Sequence, residues 1–172
     1  MIDLWGRSIE YLRLSITDKC NFRCVYCMPE DGVRRLRHEE LLRFEEIVRV
    51  VRSMTQLGIH AVRLTGGEPM ARSGCLDLVR MLHELPGIGH IAMTTNGSLL
   101  RGRMAEARAA GLDAVNISLD TVDPDTFRRV TRLGDVSVVL GAVREAVDAG
   151  LRVKVNAVPV RGLNEDGLCA VA

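Results

Sequence analysis

Three cysteines, Cys20, Cys24 and Cys27, fall within eight residues, separated by three and then two others. Thiolates are soft donors. A thiol group this tight, behind an N-terminus (Met1 to Glu10) with no apolar signal core, reads as a metal site before a disulfide framework. Structural zinc takes four ligands, often as two separate cysteine pairs. No second pair completes such a set, and the nearest histidine, His38, follows an arginine-rich run of Arg34, Arg35 and Arg37 that reads as a solvated loop. Three thiolates on one loop suit a cubane iron–sulfur cluster better, because a cubane can leave one iron without a protein ligand, open to chemistry. Lys19 and Arg23 flank the thiols, and their charge is expected to favour the thiolate form and to offset an anionic cluster. The competing account is three reduced thiols packed in a core, but Cys24 and Cys27 lie among Asn21, Arg23 and Pro29 rather than in an apolar run. Cys75 and Cys169 are distant in sequence and read as ordinary thiols.

The elements that must position this loop alternate. A strand over Tyr11 to Ile16 leads into it. A helix follows from about Glu39 to Leu57, with Phe44, Ile47, Val48, Val51 and Met54 at helical spacing and Gly58 as its stop. Strand two, Ile59 to Leu64, ends in Thr65-Gly66-Gly67-Glu68-Pro69. Ser73 is expected to cap a helix from about Cys75 to Leu85, closed by Pro86 and Gly87. Strand three, Ile91 to Thr94, runs into Thr95-Asn96-Gly97, and Ser98 is expected to cap helix three, ending at Gly111. Strand four is Ala114 to Ser118. Asp120 to Asp135 reads as a turn-rich insert before helix four, Ser137 to Ala149, and strand five, Leu151 to Val158. Arg161 to Asp166 looks like a loop opening a further helix. Gly58, Gly111 and Gly150 stand where each helix reverses onto the next strand.

Such alternation predicts βα units and a parallel sheet. The strand faces choose between sheet types. Leu12, Leu14, Val62, Leu64, Val115, Ile117, Val153 and Val155 oppose Arg13, Ser15, Arg63, Thr65, Asn116, Ser118, Lys154 and Asn156. A parallel sheet buried on both sides is apolar on both. Polar faces recurring at comparable depth predict instead a barrel, or most of one, around a polar ligand, with the site at the C-terminal mouth. A half-solvated sheet with helices on one side is the alternative. A full barrel takes about 250 residues, so the expectation is a partial (β/α) TIM-like barrel truncated after about five units, with at least a sixth strand missing. The cysteine loop, the Gly66-Gly67 turn and Thr95 to Gly97 then share one mouth. The two glycines are expected to let backbone approach a ligand there.

The chain has 172 residues, 47% hydrophobic and 26% charged, with a net charge of +1. That composition predicts one globular domain, residues 1–172, and gives no electrostatic footprint for nucleic acid. Aromatic residues make up only 3%, which also argues against base-stacking platforms. No apolar run reaches about 18 residues, so the expectation is no membrane span and a cytoplasmic location.

Five stretches carry a resemblance: Tyr11 to Pro29, Arg63 to Pro69, Thr94 to Gly97, Asn116 to Asp120 and Val153 to Asn156. Together they resemble the radical S-adenosylmethionine (SAM) superfamily, whose cluster motif is CxxxCxxC, and more narrowly its GTP 3',8-cyclase (MoaA) family of molybdenum cofactor biosynthesis. The resemblance implies a [4Fe-4S] cluster on Cys20, Cys24 and Cys27, with SAM chelating the fourth iron. It implies SAM contacts at Tyr26, Gly67 and Ser118, with Gly66, Glu68 and Asn116 as neighbours. It implies GTP contacts at Arg13, Arg63, Thr94 and Lys154; three inward cations suit a triphosphate and would repel one another without it. One electron from the cluster cleaves SAM to methionine and a 5'-deoxyadenosyl radical, which takes hydrogen from C3' of the ribose, and that carbon attacks C8 of guanine. The implied partners are GTP, an electron donor such as flavodoxin or ferredoxin, the next enzyme (MoaC, cyclic pyranopterin monophosphate synthase) and, as one assembly, a homodimer. The family's second [4Fe-4S] cluster, on three C-terminal cysteines, has no counterpart here, nor do its SAM-contacting methionine and Gly-Gly tail. The expectation is therefore a chain that binds one cluster and SAM but does not cyclise GTP. Two rival readings are another radical SAM enzyme, for instance one that modifies peptides, and a zinc-stabilised interaction module.

Overall fold

In the computed structural model, which describes residues 2–34 and 36–171, five strands alternate with helices. The strands are β1 (Tyr11–Ser15), β2 (Ala61–Thr65), β3 (His90–Thr95), β4 (Ala114–Ser118) and β5 (Arg152–Asn156). The helices are α1 (Phe44–Thr55), α2 (Cys75–His83), α3 (Met104–Ala109), α4 (Pro124–Thr131) and α5 (Val136–Asp148). All four pairings are parallel, in the order β1-β2-β3-β4-β5. Each strand therefore lies beside its sequence neighbours and the winding never reverses. A doubly wound sheet has a reversal point; a barrel has none. The five units form the open arc of a barrel that the face pattern predicts.

The apolar face carries the core. Val62, Leu64, Ile91, Met93, Val115 and Ile117 are essentially inaccessible and share one cluster with Val51, Leu78, Leu82, Ala107, Val139 and Ala146 of the helices. Each fully buried aliphatic side chain contributes about 1.5–3 kcal/mol. The opposite face is less enclosed than the barrel reading expected: Arg13 and Lys154, on the two edge strands, are exposed, and Arg63 is half-buried. Five strands do not close, so solvent reaches the edges of the polar face.

The ends of several elements differ from expectation. Helix one begins at Phe44, after a separate 3-10 turn at His38–Glu40, because the Arg43 N–H is taken by the Glu46 carboxylate at 2.7 Å. Ser73 does not cap α2; Gly74, in the left-handed region at φ 77°, stands there. Ser98 does not cap α3, which starts only at Met104; its hydroxyl bonds Asn96 instead. The supposed insert holds α4, started by Asp123, whose carboxylate accepts from the Thr126 N–H at 2.8 Å. The last segment forms a 3-10 helix, Glu165–Ala170. The junction glycines Gly58, Gly111 and Gly150 all take positive φ, as expected. Arg35 lies outside the described residues.

Candidate functional site

The cysteine loop leaves β1 and is held from two sides. On the first side, the pairing of β1 with β2 continues past both strands. Ile16 N–H donates to Thr65 O at 2.9 Å, Gly67 N–H to Thr17 O at 2.8 Å and Glu68 N–H to Lys19 O at 2.7 Å. The close approach made possible by the two glycines is thus to the chain's own backbone. A Cβ on Gly67 would press on Lys19 O and stand 2.7 Å from the Lys19 carbonyl carbon; one on Gly66 would press on Thr17 O. This adds a structural reason to the expected approach of a ligand, and both glycines also line the cleft described below.

On the second side, α4 receives the loop. Arg23 N–H donates to Thr131 O at 3.0 Å and Val25 N–H to Val130 O at 2.9 Å. Phe22 meets Phe127 edge-to-face, centroids 6.2 Å apart. Arg132, whose φ of 62° is unusual for a side-chain-bearing residue, donates from its guanidinium to Arg23 O and Met28 O. Within the loop, Cys27 N–H and Met28 N–H both turn back to Cys24 O.

Between these supports lies a cleft of about 200 Å³ at the C-terminal ends of the strands. Cys20, Cys24, Cys27, Tyr26, Gly67, Ser118, Arg13 and Thr94 all line it. Arg63 and Lys154 do not, but pairing places them beside it. Arg13, Arg63, Ala92, Ala114 and Arg152 form one row across the sheet, and Thr94, Asn116 and Lys154 a second row, two residues nearer the mouth. Arg13 and Arg63 are thus directly opposite on adjacent strands, where like charges destabilise. Arg63 Cζ stands 5.8 Å over the Tyr11 ring, and its Nη1 is buried with no hydrogen-bond partner. Ala92 and Ala114 leave the middle of that row low.

The thiols are not charged in the way adjacency suggested. Burial pushes the Cys24 thiol up to about 11, with Asp120 and the other two thiols adding. Burial likewise raises Cys20, and Arg23 opposes it least of the named groups. The reason is orientation: Arg23 folds back to donate to Cys20 O at 2.9 Å and Phe22 O at 2.8 Å. Tyr26 O–H donates to Asp120 at 2.7 Å, and burial followed by that bond pushes its pKa up.

The donor set can be tested against a metal. None of the three cysteines is in a disulfide, and all face one cleft. Among the described residues no three His, Cys, Asp or Glu side chains gather into a group for a single ion. In a cubane each thiolate binds a different iron, so three thiolates around a cleft, not converging on a point, fit a cluster.

Residues 14–172 match the radical SAM superfamily. The chain belongs to that superfamily. A GTP 3',8-cyclase of Petrotoga mobilis is 48% identical over 98% of the chain and 52% of the relative. One of Pelotomaculum thermopropionicum is 50% identical over 100% and 53%. The chain thus spans about half the length of the curated relatives it matches. Among solved structures, Streptococcus suis SuiB bound to S-adenosylmethionine superposes with a TM-score of 0.79 at 20% identity, over 94% of this chain and 36% of that one. Methylornithine synthase (PylB) gives 0.70 at 22%, over 89% and 45%. Both are likenesses of fold.

Within this radical SAM fold, the sequence reading assigned no role to four residues at the site. Asp120 joins Tyr26 to the Val158 N–H beyond β5. Asn21, Asn96 and Ser98 close a ring of side-chain bonds next to Cys20. Each sits one to three residues past a strand or beside a cysteine, which is the signal that was available. Glu68, expected as a neighbour of the SAM contacts, follows Gly67 in the chain and is fully buried and bonded to the end of β3.

Proposed function

We propose that the chain is the radical SAM core of a GTP 3',8-cyclase, converting GTP to (8S)-3',8-cyclo-7,8-dihydroguanosine 5'-triphosphate in the first step of molybdenum cofactor biosynthesis. The observation that carries this is the uncompensated guanidinium pair: Arg13 opposite Arg63, with Arg63 Nη1 buried and unpartnered and Lys154 beyond. A buried donor without an acceptor costs about 1–3 kcal/mol; an anion of several charges removes that cost at Arg63 and gives charge-assisted partners to Arg13 and Lys154. The names of the half-matched relatives support the same reading.

In this reading residues 1–172 are part of the core domain, and Cys20, Cys24 and Cys27 hold a [4Fe-4S] cluster. Tyr26, Gly67 and Ser118 contact SAM; Arg13, Arg63, Thr94 and Lys154 contact GTP. Bound together, cluster and SAM would supply one-electron cleavage of the sulfonium carbon–sulfur bond. The protein's own work is placement. The backbone clamp at Gly66 and Gly67 fixes the cysteine loop, Asp120 fixes the Tyr26 ring as a wall, and the arginine row draws the triphosphate so that the ribose faces the cleft. Cyclisation belongs to the longer protein, with its second [4Fe-4S] cluster. A flavodoxin or ferredoxin would supply the electron, and cyclic pyranopterin monophosphate synthase would take the product.

The test is anaerobic reconstitution followed by binding of GTP and GMP to the wild-type chain and to Arg63→Ala. The reading expects an iron–sulfur spectrum and a preference for GTP that Arg63→Ala abolishes. Equal affinity for GTP and GMP in the wild type would remove GTP as substrate and leave a radical SAM protein of other specificity. A colourless reconstituted sample would remove the cluster.

A further inference from the structure

Glu68 is wholly buried, yet among the described residues every bond to its carboxylate comes from a neutral donor. Oε1 accepts from the Met70 N–H at 3.1 Å and the Thr95 hydroxyl at 2.8 Å; Oε2 accepts from the Asn96 N–H at 2.7 Å. Two of the three are backbone N–H groups, which only donate. An amide at this position would have to turn its NH2 toward one of them, so the site is built for a carboxylate. Burying a carboxylate is costly without a paired charge, and here three hydrogen bonds from neutral groups offset that cost.

What Glu68 fixes lies on both sides of Cys20. Before Cys20, the backbone N–H of Glu68 holds Lys19 O at 2.7 Å, a bond that Glu68→Gln keeps, so the carboxylate's own reach is to the far side of Cys20. After it, Asn96, seated by Glu68, donates through Nδ2 to Asn21 Oδ1 at 2.9 Å. Asn21 Nδ2 donates to Ser98 Oγ at 2.8 Å, and Ser98 Oγ donates to Asn96 Oδ1 at 2.7 Å, closing the ring. The Thr95 hydroxyl, while donating to Glu68, accepts the Gly97 N–H at 2.9 Å and tightens the same turn. Cys24 and Cys27 take no part in this ring.

We infer that Glu68 is a positioning residue for Cys20: it locks the residues on either side of the first cysteine and so presets one corner of the metal site before any metal binds. This rests on the cluster reading only for the identity of the metal; the positioning itself is a property of the metal-free protein.

The experiment uses the full chain with Glu68→Gln, Asn21→Ala and the double variant. In the metal-free state, iodoacetamide labelling of each cysteine is timed by peptide mass spectrometry. Both single variants are expected to speed labelling of Cys20 about fivefold, the size of one net hydrogen bond, with Cys24 and Cys27 unchanged. The double variant is expected to match Glu68→Gln alone, since the two act through one chain of bonds. After anaerobic reconstitution, the variants should show a broadened spin-resonance signal from the reduced cluster. Thermal unfolding of each variant reports folding, because the Glu68 charge acts on the Cys75 and Cys20 thiols directly; Asn21→Ala, which keeps that charge, decides. Unchanged Cys20 labelling in Asn21→Ala, or effects that multiply in the double variant, would overturn the proposal. A wild-type chain that binds no iron would sink the cluster reading instead, and the labelling pattern would still stand or fall by itself.

Discussion

Gly67→Ala tests whether the glycine pair serves the backbone clamp. The added Cβ would press on Lys19 O and lie 2.7 Å from the Lys19 carbonyl carbon and 2.8 Å from Asp18 O. These are backbone atoms, so no side chain can swing away; one loop must move against the other. The movement falls on two bonds, Gly67 N–H to Thr17 O at 2.8 Å and Glu68 N–H to Lys19 O at 2.7 Å. Each is worth about 0.5–1.5 kcal/mol net, and a buried group left unpaired costs about 1–3, so the expected destabilisation is about 2–4 kcal/mol. For a domain of this size that lowers the melting temperature by about 4–16 °C. Gly89→Ala is the control, because a Cβ there meets nothing within 4 Å; it should stay within about 0.5 kcal/mol of wild type. Thermal unfolding of the metal-free chain measures both, and iron content after reconstitution should fall with Gly67→Ala alone. If the two variants melt together, the glycines are not serving the clamp, and a ligand's approach becomes their whole reason.

Four further outcomes follow from the same geometry. Cys24→Ala should take the reconstituted chain from about four irons to nearly none, read by iron assay and absorbance. Arg63→Ala should weaken GTP by about 10- to 100-fold with little change for GMP, the worth of one charge-assisted bond; calorimetry with both nucleotides checks it. Burial, with the Glu68 charge adding, pushes the Cys75 thiol from 9.0 up to about 12. The folded chain then keeps a proton that the unfolded chain has released, so this stability is full below pH 9 and is lost as pH rises toward 12, by about 1.4 kcal/mol per pH unit. Denaturation at pH 8 and pH 10.5 should show that slope in the wild type and a shallower one in Cys75→Ala; equal slopes would refute it. Asp120→Ala removes the acceptor of the Tyr26 hydroxyl and of the Val158 N–H; both residues are partly exposed, so the loss should be that of two net hydrogen bonds, about 1–3 kcal/mol in urea unfolding.

The order of strands, the shared mouth and the cysteine loop were legible because they depend on local patterns: period-two strands, helical spacing and glycine at the reversals. What was not legible depends on folding back. Helix α4 is eight residues with Phe127 and Val130 as its buried apolar positions, too few turns for periodicity to register. Yet it anchors the cysteine loop through bonds spanning more than a hundred residues. The expected help of Arg23 to the thiols is small for a related reason: it favours the Cys20 thiolate least of the named groups because its guanidinium turns to carbonyls. Glu68 shows the same limit. Nothing in its local sequence marks this glutamate as buried, and its carboxylate is met by Thr95 and Asn96, 27 and 28 residues on.

These long-range contacts share a purpose that the strand pattern alone does not reveal. A loop carrying three thiols has little apolar surface of its own, so its shape has to come from the elements around it. Here the turn after β2 clamps its entrance, the turn after β3 holds the residue beyond Cys20, the residue two past β4 pins Tyr26, and α4 with Arg132 supports its far side. Successive units of one sheet thus each contribute one fastening. The sequential winding makes that possible, because turns after adjacent parallel strands open at the same end. A site assembled this way loses little conformational entropy when its metal and ligands bind. It also spreads the effect of mutation: a change in any one of the three turns or in α4 should reach the thiols, whereas a change at the opposite end of the sheet, such as Gly89→Ala, should not.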